Sequence, residues 1–281
     1  MAETLISPGV LARENDQSQI TSQPIQAGAA LVGPTVKGQV NIPKLITTYS
    51  EYQATFGTTF ESGSNEFTFF TSISAYNYFQ NGGNTLLVTR VASGSFTAAD
   101  STPISSSLPG FDTSFTLETI GQGTIMNSTG SENASGALTN GTSDNLRWEI
   151  SSPDTASGTF SVIIRQGNDN TRRKSVVESF NNVSLDPFSS NFISRIIGDQ
   201  TQNMLGAGTS SPYLQTSGSY PNASRFVRVK EVNLLTPHYL DNSGVAKDQF
   251  TGSIPVAASG TFENATGTIL TGTGKYYQNI V

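Results

Sequence analysis

The stretch from Asn65 to Val91, NEFTFFTSISAYNYFQNGGNTLLVTRV, constrains the fold more than any other part of the chain. Its pattern predicts one helix, one glycine stop and one strand. Asn65 stands where a cap belongs, and Phe69, Ile73 and Tyr76 recur at the spacing of a buried helical stripe, widened by Phe70 and Phe79. Gly82 and Gly83 permit the left-handed backbone that ends a helix, and Leu86, Leu87, Val88 and Val91 follow as a short apolar run. The result is an αβ unit with a sheet behind its helix, which on its own says nothing of function.

A chain of 281 residues has room for about two domains and a sizeable core. Hydrophobic residues make up 35% and charged residues only 13%. Ser, Thr, Asn and Gly fill the difference, which suits turn-rich β-structure, or a surface covered by other copies, better than a highly charged monomer. The formal net charge of −6 argues against a nucleic-acid coat or a polybasic membrane binder. With 0 cysteines, disulfides, thiol nucleophiles and thiolate metal sites are excluded. The opening MAETLISPGVLAREN lacks the pattern of a secretion signal, and no later run approaches the about 18 apolar residues of a membrane span. We therefore expect a soluble protein made in the cytoplasm.

In chain order, residues 1–19 begin with the turn signal Ser7-Pro8-Gly9 and continue through Val10, Leu11, Ala12, Arg13 and Glu14, which can extend but have little to bury against their own chain. They read as an arm. Ala27 to Val32 reads as a small-residue strand stopped by Gly33-Pro34, and Ser50 with Gln53 reads as the reciprocal cap of a short helix that carries Tyr52 and Phe56 to the same core. Residues 20–97 thus form an αβ core, and a boundary falls near Gly94 to Thr102, where the texture turns to Ser, Thr, Gly and Asn. Residues 98–281 read as a β-rich inserted or outer domain, and the fold class as α+β. Within it, 159–199 form a hairpin-and-helix module: Phe160 to Arg165, a turn at Gly167 to Asn170, a return strand from Val176, then Asp186-Pro187 opening a helix through Phe188, Phe192, Ile193, Ile196 and Ile197. A further strand from Ser224 to Leu235 carries Arg225, Arg228 and Lys230.

Residues capable of chemistry are few. His238, the 1 histidine, has no partners at catalytic or zinc-site spacing. Gly272-Thr273-Gly274-Lys275 fails as a phosphate loop because Ile269 stands where the first glycine belongs and Tyr276 where the metal-binding hydroxyl belongs. Asn168-Asp169-Asn170 lacks the acids of a calcium loop. The basic cluster Arg165, Arg172, Arg173 and Lys174 reads either as a solvated hairpin tip or as a docking point for an acidic patch on a neighbour.

Taken together, the ordered features Ser7-Pro8-Gly9-Val10 with Arg13-Glu14, Ala29 to Pro34, Gly38, Pro43, Ile46-Thr47, Tyr52, Phe56-Gly57, Tyr78 to Gly83 and Val88 to Val91 resemble the N-terminal part of contractile tail sheath proteins. The passage Phe160 to Asp199, with Val177 to Phe180, Val183 to Asp186 and Phe192-Ile193, resembles the same family's hairpin-and-helix module. The resemblance implies a non-enzymatic structural protein of the virion, assembled in the host cytoplasm, that self-assembles as hexameric rings or a six-start helix around an inner tail tube protein, between baseplate and tail terminator proteins. It implies no cofactor, no metal, no direct nucleic acid contact and no membrane insertion. Its arm, Val10 to Glu14, would add a strand to a neighbour's sheet, and contraction would drive the tube through the host envelope for genome ejection. The family completes its core with a later C-terminal segment, so this sequence is expected to be the front part of a longer chain whose Leu86 to Val91 strand is otherwise underpacked. A bacteriocin-like or secretion-type injection device is the neighbouring alternative. A carbohydrate-binding β-module, suggested by Trp148 and the tyrosines, is the alternative of another class, with an unusual enzyme third.

Overall fold

The computed structural model describes residues 28–62, 65–206, 208–269 and 277–280. It is an α+β structure, mostly strand. The arm residues Val10, Leu11, Ala12, Arg13 and Glu14 lie outside the described residues.

The first region runs β1 (Ala29–Gly33), β2 (Pro43–Ile46), α1 (Tyr49–Phe56), β3 (Thr59–Ser62), β4 (Asn65–Phe69), α2 (Phe70–Gln80) and β5 (Leu86–Arg90). β5 is the centre of a three-stranded sheet, parallel to β1 with Leu31 opposite Val88 and antiparallel to β2 with Leu45 opposite Leu87. Ile46, Tyr52, Phe56, Ala75, Leu86 and Val88 form its core, so both helices lie on one face.

The cap of α1 falls two residues before the expected Ser50. Thr48 Oγ1 accepts the Glu51 N–H at 3.1 Å, and the Glu51 carboxylate reaches back to the Thr47 N–H at 2.9 Å. The larger difference lies at Asn65. Residues Asn65–Phe69 are strand, not the first turns of the helix, because Phe67 and Phe69 share a strand face with Phe60 across β3, the Phe60 and Phe69 rings lying 4.7 Å apart. α2 therefore starts at Phe70 with no side-chain cap. Its buried face is Thr71, Ser72 and Ala75, while Phe70 and Tyr76 are exposed. The helix lies so close over β1 that a Cβ on Gly33 would come within 2.5 Å of Thr71 Oγ1, and only small side chains fit between.

The glycine stop behaves as expected. Gly82 takes φ +87°, and the Gly83 N–H donates to the Tyr78 carbonyl at 3.0 Å. A Cβ on Gly83 would stand 2.3 Å from the Tyr78 ring, and that ring is held by its hydroxyl donating to the Thr85 carbonyl at 2.8 Å. Gly83→Ala is expected to lower stability by about 1–3 kcal/mol through this overlap; thermal unfolding of the variant measures it, and an unchanged midpoint would contradict it.

The second region is one seven-stranded sheet built from β6 (Ala98–Ser101), β7 (Phe115–Gln122), β8 (Leu146–Asp154), β9 (Thr159–Gln166), β10 (Val176–Ser184), β13 (Val227–Val232) and β14 (Ala258–Glu263), in the order β10-β9-β8-β14-β6-β7-β13. The β11 (Thr201–Leu205) and β12 (Tyr213–Ser217) hairpin and two short helices, α3 (Ile193–Ile197) and α4 (Asp248–Thr251), decorate it. Phe115 on β7 stacks on Phe160 of β9 at 5.6 Å, although three strands separate β7 from β9 in the sheet. The sheet therefore curls around one core, which includes Leu117, Trp148, Ile164 and Phe262.

β9 and β10 pair antiparallel across the turn, and the helix that follows is shorter than the pattern predicts. Asp186 does not open a helix at Phe188. Its carboxylate accepts the Phe188 N–H at 3.0 Å and the His238 N–H at 3.1 Å, tying this turn to a distant loop and leaving only Ile193–Ile197 helical.

The two regions meet around Arg90, whose Nη1 donates to the Gly38 carbonyl at 2.6 Å and the Gln122 carbonyl at 2.7 Å. Lys37 pairs with Asp144 at 3.1 Å across the same junction. A last strand, β15 (Tyr277–Ile280), pairs antiparallel with β4, and Tyr277 sets its ring edge-on to Phe60 and Phe67. Among the described residues no helix is long and apolar enough to cross a membrane.

Candidate functional site

The most informative surface is the face of the β1-β5-β2 sheet that points away from the helices. Strand alternation and register place Ala30, Val32, Leu45, Leu87 and Thr89 together there. A sheet containing a parallel pair is normally covered on both faces. Here, however, Val32 is 66% exposed and Val91, just beyond β5, is 43% exposed. Among the described residues nothing pairs with the outer edge of β1 either. An unpaired strand edge presents free backbone donors and acceptors to which a further strand can add.

Beneath the junction of the two regions lies a cleft of about 490 Å³. Lys37, Gln39, Glu51, Gln200 and Arg225 contribute its polar lining, and Phe226 is among its apolar residues. Lys37 is already committed to Asp144. Ser224, also in the lining, donates its hydroxyl to Glu178, and that carboxylate accepts the Arg225 N–H as well.

The four basic residues expected to act together are divided by the structure. Arg165 is buried and pairs bidentately with Asp169, Nε to Oδ2 at 2.7 Å and Nη2 to Oδ1 at 2.8 Å, and with Glu149 at 2.9 Å. Burial alone pulls its pKa down, but the hydrogen bond and charge of Asp169, followed by those of Glu149, outweigh that and hold it above the usual value. Lys174 bonds Glu149 at 2.6 Å from the surface. Arg172 and Arg173 are exposed at the hairpin tip. Arg147, also buried, contacts Asp169 and Glu132. On β13, Arg228 bonds Glu118 at 2.7 Å and Lys230 bonds Asp100 at 2.6 Å, which leaves no basic stripe on that strand.

Trp148 is 2% exposed, with its indole N–H donated to Thr102 Oγ1 and the Thr261 carbonyl, both at 3.1 Å. It has no face to offer a sugar. His238 stacks flat on Phe188 at 4.4 Å, and among the described residues no carboxylate pairs with its ring. No group of three His, Cys, Asp or Glu among the described residues is placed to hold a metal.

Sequence reasoning passed over two groups. Asp169 was legible only as a turn residue, since its arginine partners come from two strands. Arg90 left a fainter signal, as the single charge in the run LLVTRV.

Comparison with known proteins adds little. No family model matches the sequence, and no curated protein matches it. Among solved structures, a sheath tail protein from Listeria innocua is 11% identical, with 73% of this chain and 34% of that one covered at a TM-score of 0.33. A sheath tail protein from Desulfitobacterium hafniense is 11% identical, with 87% and 41% covered at a TM-score of 0.30. The chain thus spans between a third and a half of the length of those proteins. At these TM-scores the likeness does not establish a common fold.

Proposed function

We propose that this chain is a structural, non-enzymatic part of a contractile tail sheath subunit, which polymerises around an inner tube and contracts to drive that tube through a host envelope. The observation that carries the reading is the exposure of Val32 and Val91 on the outward face of the β1-β5-β2 sheet, beside a strand edge that is unpaired among the described residues. The order of residues from Ser7 to Val91 supports it, as does a composition too poor in charge for a fully solvated monomer. In this reading the subunits form six-fold rings or a six-start helix, and the tube, baseplate and terminator proteins are the other partners. Residues 1–19 serve as an arm whose main-chain hydrogen bonds extend a neighbour's sheet, so that register rather than particular side chains links the lattice. Energy is stored in many small contacts between subunits that differ between an extended and a contracted lattice, and no nucleotide or metal is required.

Sedimentation velocity of the intact chain and of a form lacking residues 1–19 tests this. The intact chain is expected to sediment as assemblies far heavier than its 29.8 kDa, and the truncated form as small species. Monomers in both samples at every concentration would contradict the proposal.

A further inference from the structure

We propose that Arg90 is the receptor of a carboxylate, in a small site at the exposed end of β5. The Arg90 side chain is buried, at 1% exposure, and among the described residues no carboxylate lies within ion-pair distance of it. Nη1 is satisfied by the Gly38 and Gln122 carbonyls, whereas Nε and Nη2 are buried without an acceptor. The guanidinium carbon lies 4.9 Å from the centre of the Phe96 ring. Beside it is a cavity of about 10 Å³ lined by Pro34, Thr35, Phe69, Val91 and Phe96 among others. That volume admits one oxygen atom.

An arginine left charged and unpaired in such a place is costly, since neutral carbonyls satisfy donors but do not compensate the charge. Desolvation brings its pKa down only to about 10, so it remains a cation at neutral pH. Nε and Nη2 are neighbouring charged donors, and both can converge on one carboxylate oxygen. One carboxylate oxygen enters the cavity and receives both donors, while the remainder of the group sits at the rim formed by exposed Val91. A water molecule would satisfy the same donors without supplying the charge. Two sources share this chemistry: a small free carboxylate, or an Asp or Glu side chain from a second copy of the chain.

The Nε–H of a buried arginine is protected from exchange, so its nitrogen and proton resonances can be followed in the intact protein, with formate as the probe. Arg90→Lys assigns the signal, because it keeps the charge and removes the Nε–H. The expected result is a saturable shift of the Arg90 Nε–H on adding formate, absent with chloride at equal ionic strength. If the carboxylate comes from a second copy, the same resonance shifts on dilution without formate, and formate competes with that change. A protected resonance that neither formate nor dilution moves would overturn the proposal. Should Arg90→Lys fail to fold, Phe96→Leu, which alters only the ring over the guanidinium, assigns the signal through the loss of its ring-current shift.

Discussion

Replacing Asp169 with alanine is expected to lower the free energy of unfolding by about 3–5 kcal/mol, the usual consequence of removing one partner from a buried ion pair. Its side chain is 0% exposed and is the acid shared by Arg165 and Arg147. It also accepts the Ser175 N–H at 3.0 Å, and so holds both sides of the turn that closes β9 onto β10. Alanine leaves two buried guanidinium groups with only Glu149 and Glu132 at the margins. Urea unfolding measures the loss as a fall in midpoint at constant slope. Arg172→Ala is the control, since an exposed arginine at the same tip should change stability by no more than about 0.5 kcal/mol. Equal effects from the two variants would show that the tip is a solvated turn after all.

Val32→Lys is expected to abolish association while leaving the fold intact. Val32 points away from the helices and is mostly exposed, so in the isolated chain a lysine there displaces nothing. In an assembled lattice the ammonium would be buried against apolar surface, and a penalty of about 3 kcal/mol per interface would weaken each contact by roughly a hundredfold. Repeated over every contact in the lattice, that is enough to dissolve it. The check is light scattering against concentration, beside a thermal melt. Scattering lost with the melt unchanged supports the sheet face as the interface. Undiminished scattering would place the interface elsewhere.

The elements that local pattern determines were legible in the sequence. The strand at Leu86, the stop at Gly82-Gly83 and the hairpin around Gly167 each depend on residues within a few positions of one another. What was misread depends on partners far along the chain. Asn65 looks like a helix cap until Phe67 and Phe69 are seen to pack on Phe60 and Tyr277, the latter about two hundred residues later. The aromatic stripe of α2 looks like a core face, yet the closeness of α2 to Gly33 reserves that face for Thr71, Ser72 and Ala75. The same reason governs the charged residues. A run of basic side chains cannot show that Arg165 turns inward to Asp169 while Arg172 and Arg173 stay in solvent. Nor does LLVTRV reveal that its arginine joins two regions through Gly38 and Gln122. The open face of the β1-β5-β2 sheet was foreseen only indirectly, as a strand expected to lack part of its packing. Leu86 and Val88 are in fact well buried, and it is on the opposite face that Val32 and Val91 are exposed.

Negative-stain electron microscopy of the protein at assembling concentrations, beside a sample lacking residues 1–19, tests the central claim most directly. The account predicts hollow cylinders of regular width from the intact protein, lost when the arm is removed. Discrete particles of a single subunit in both samples would contradict it.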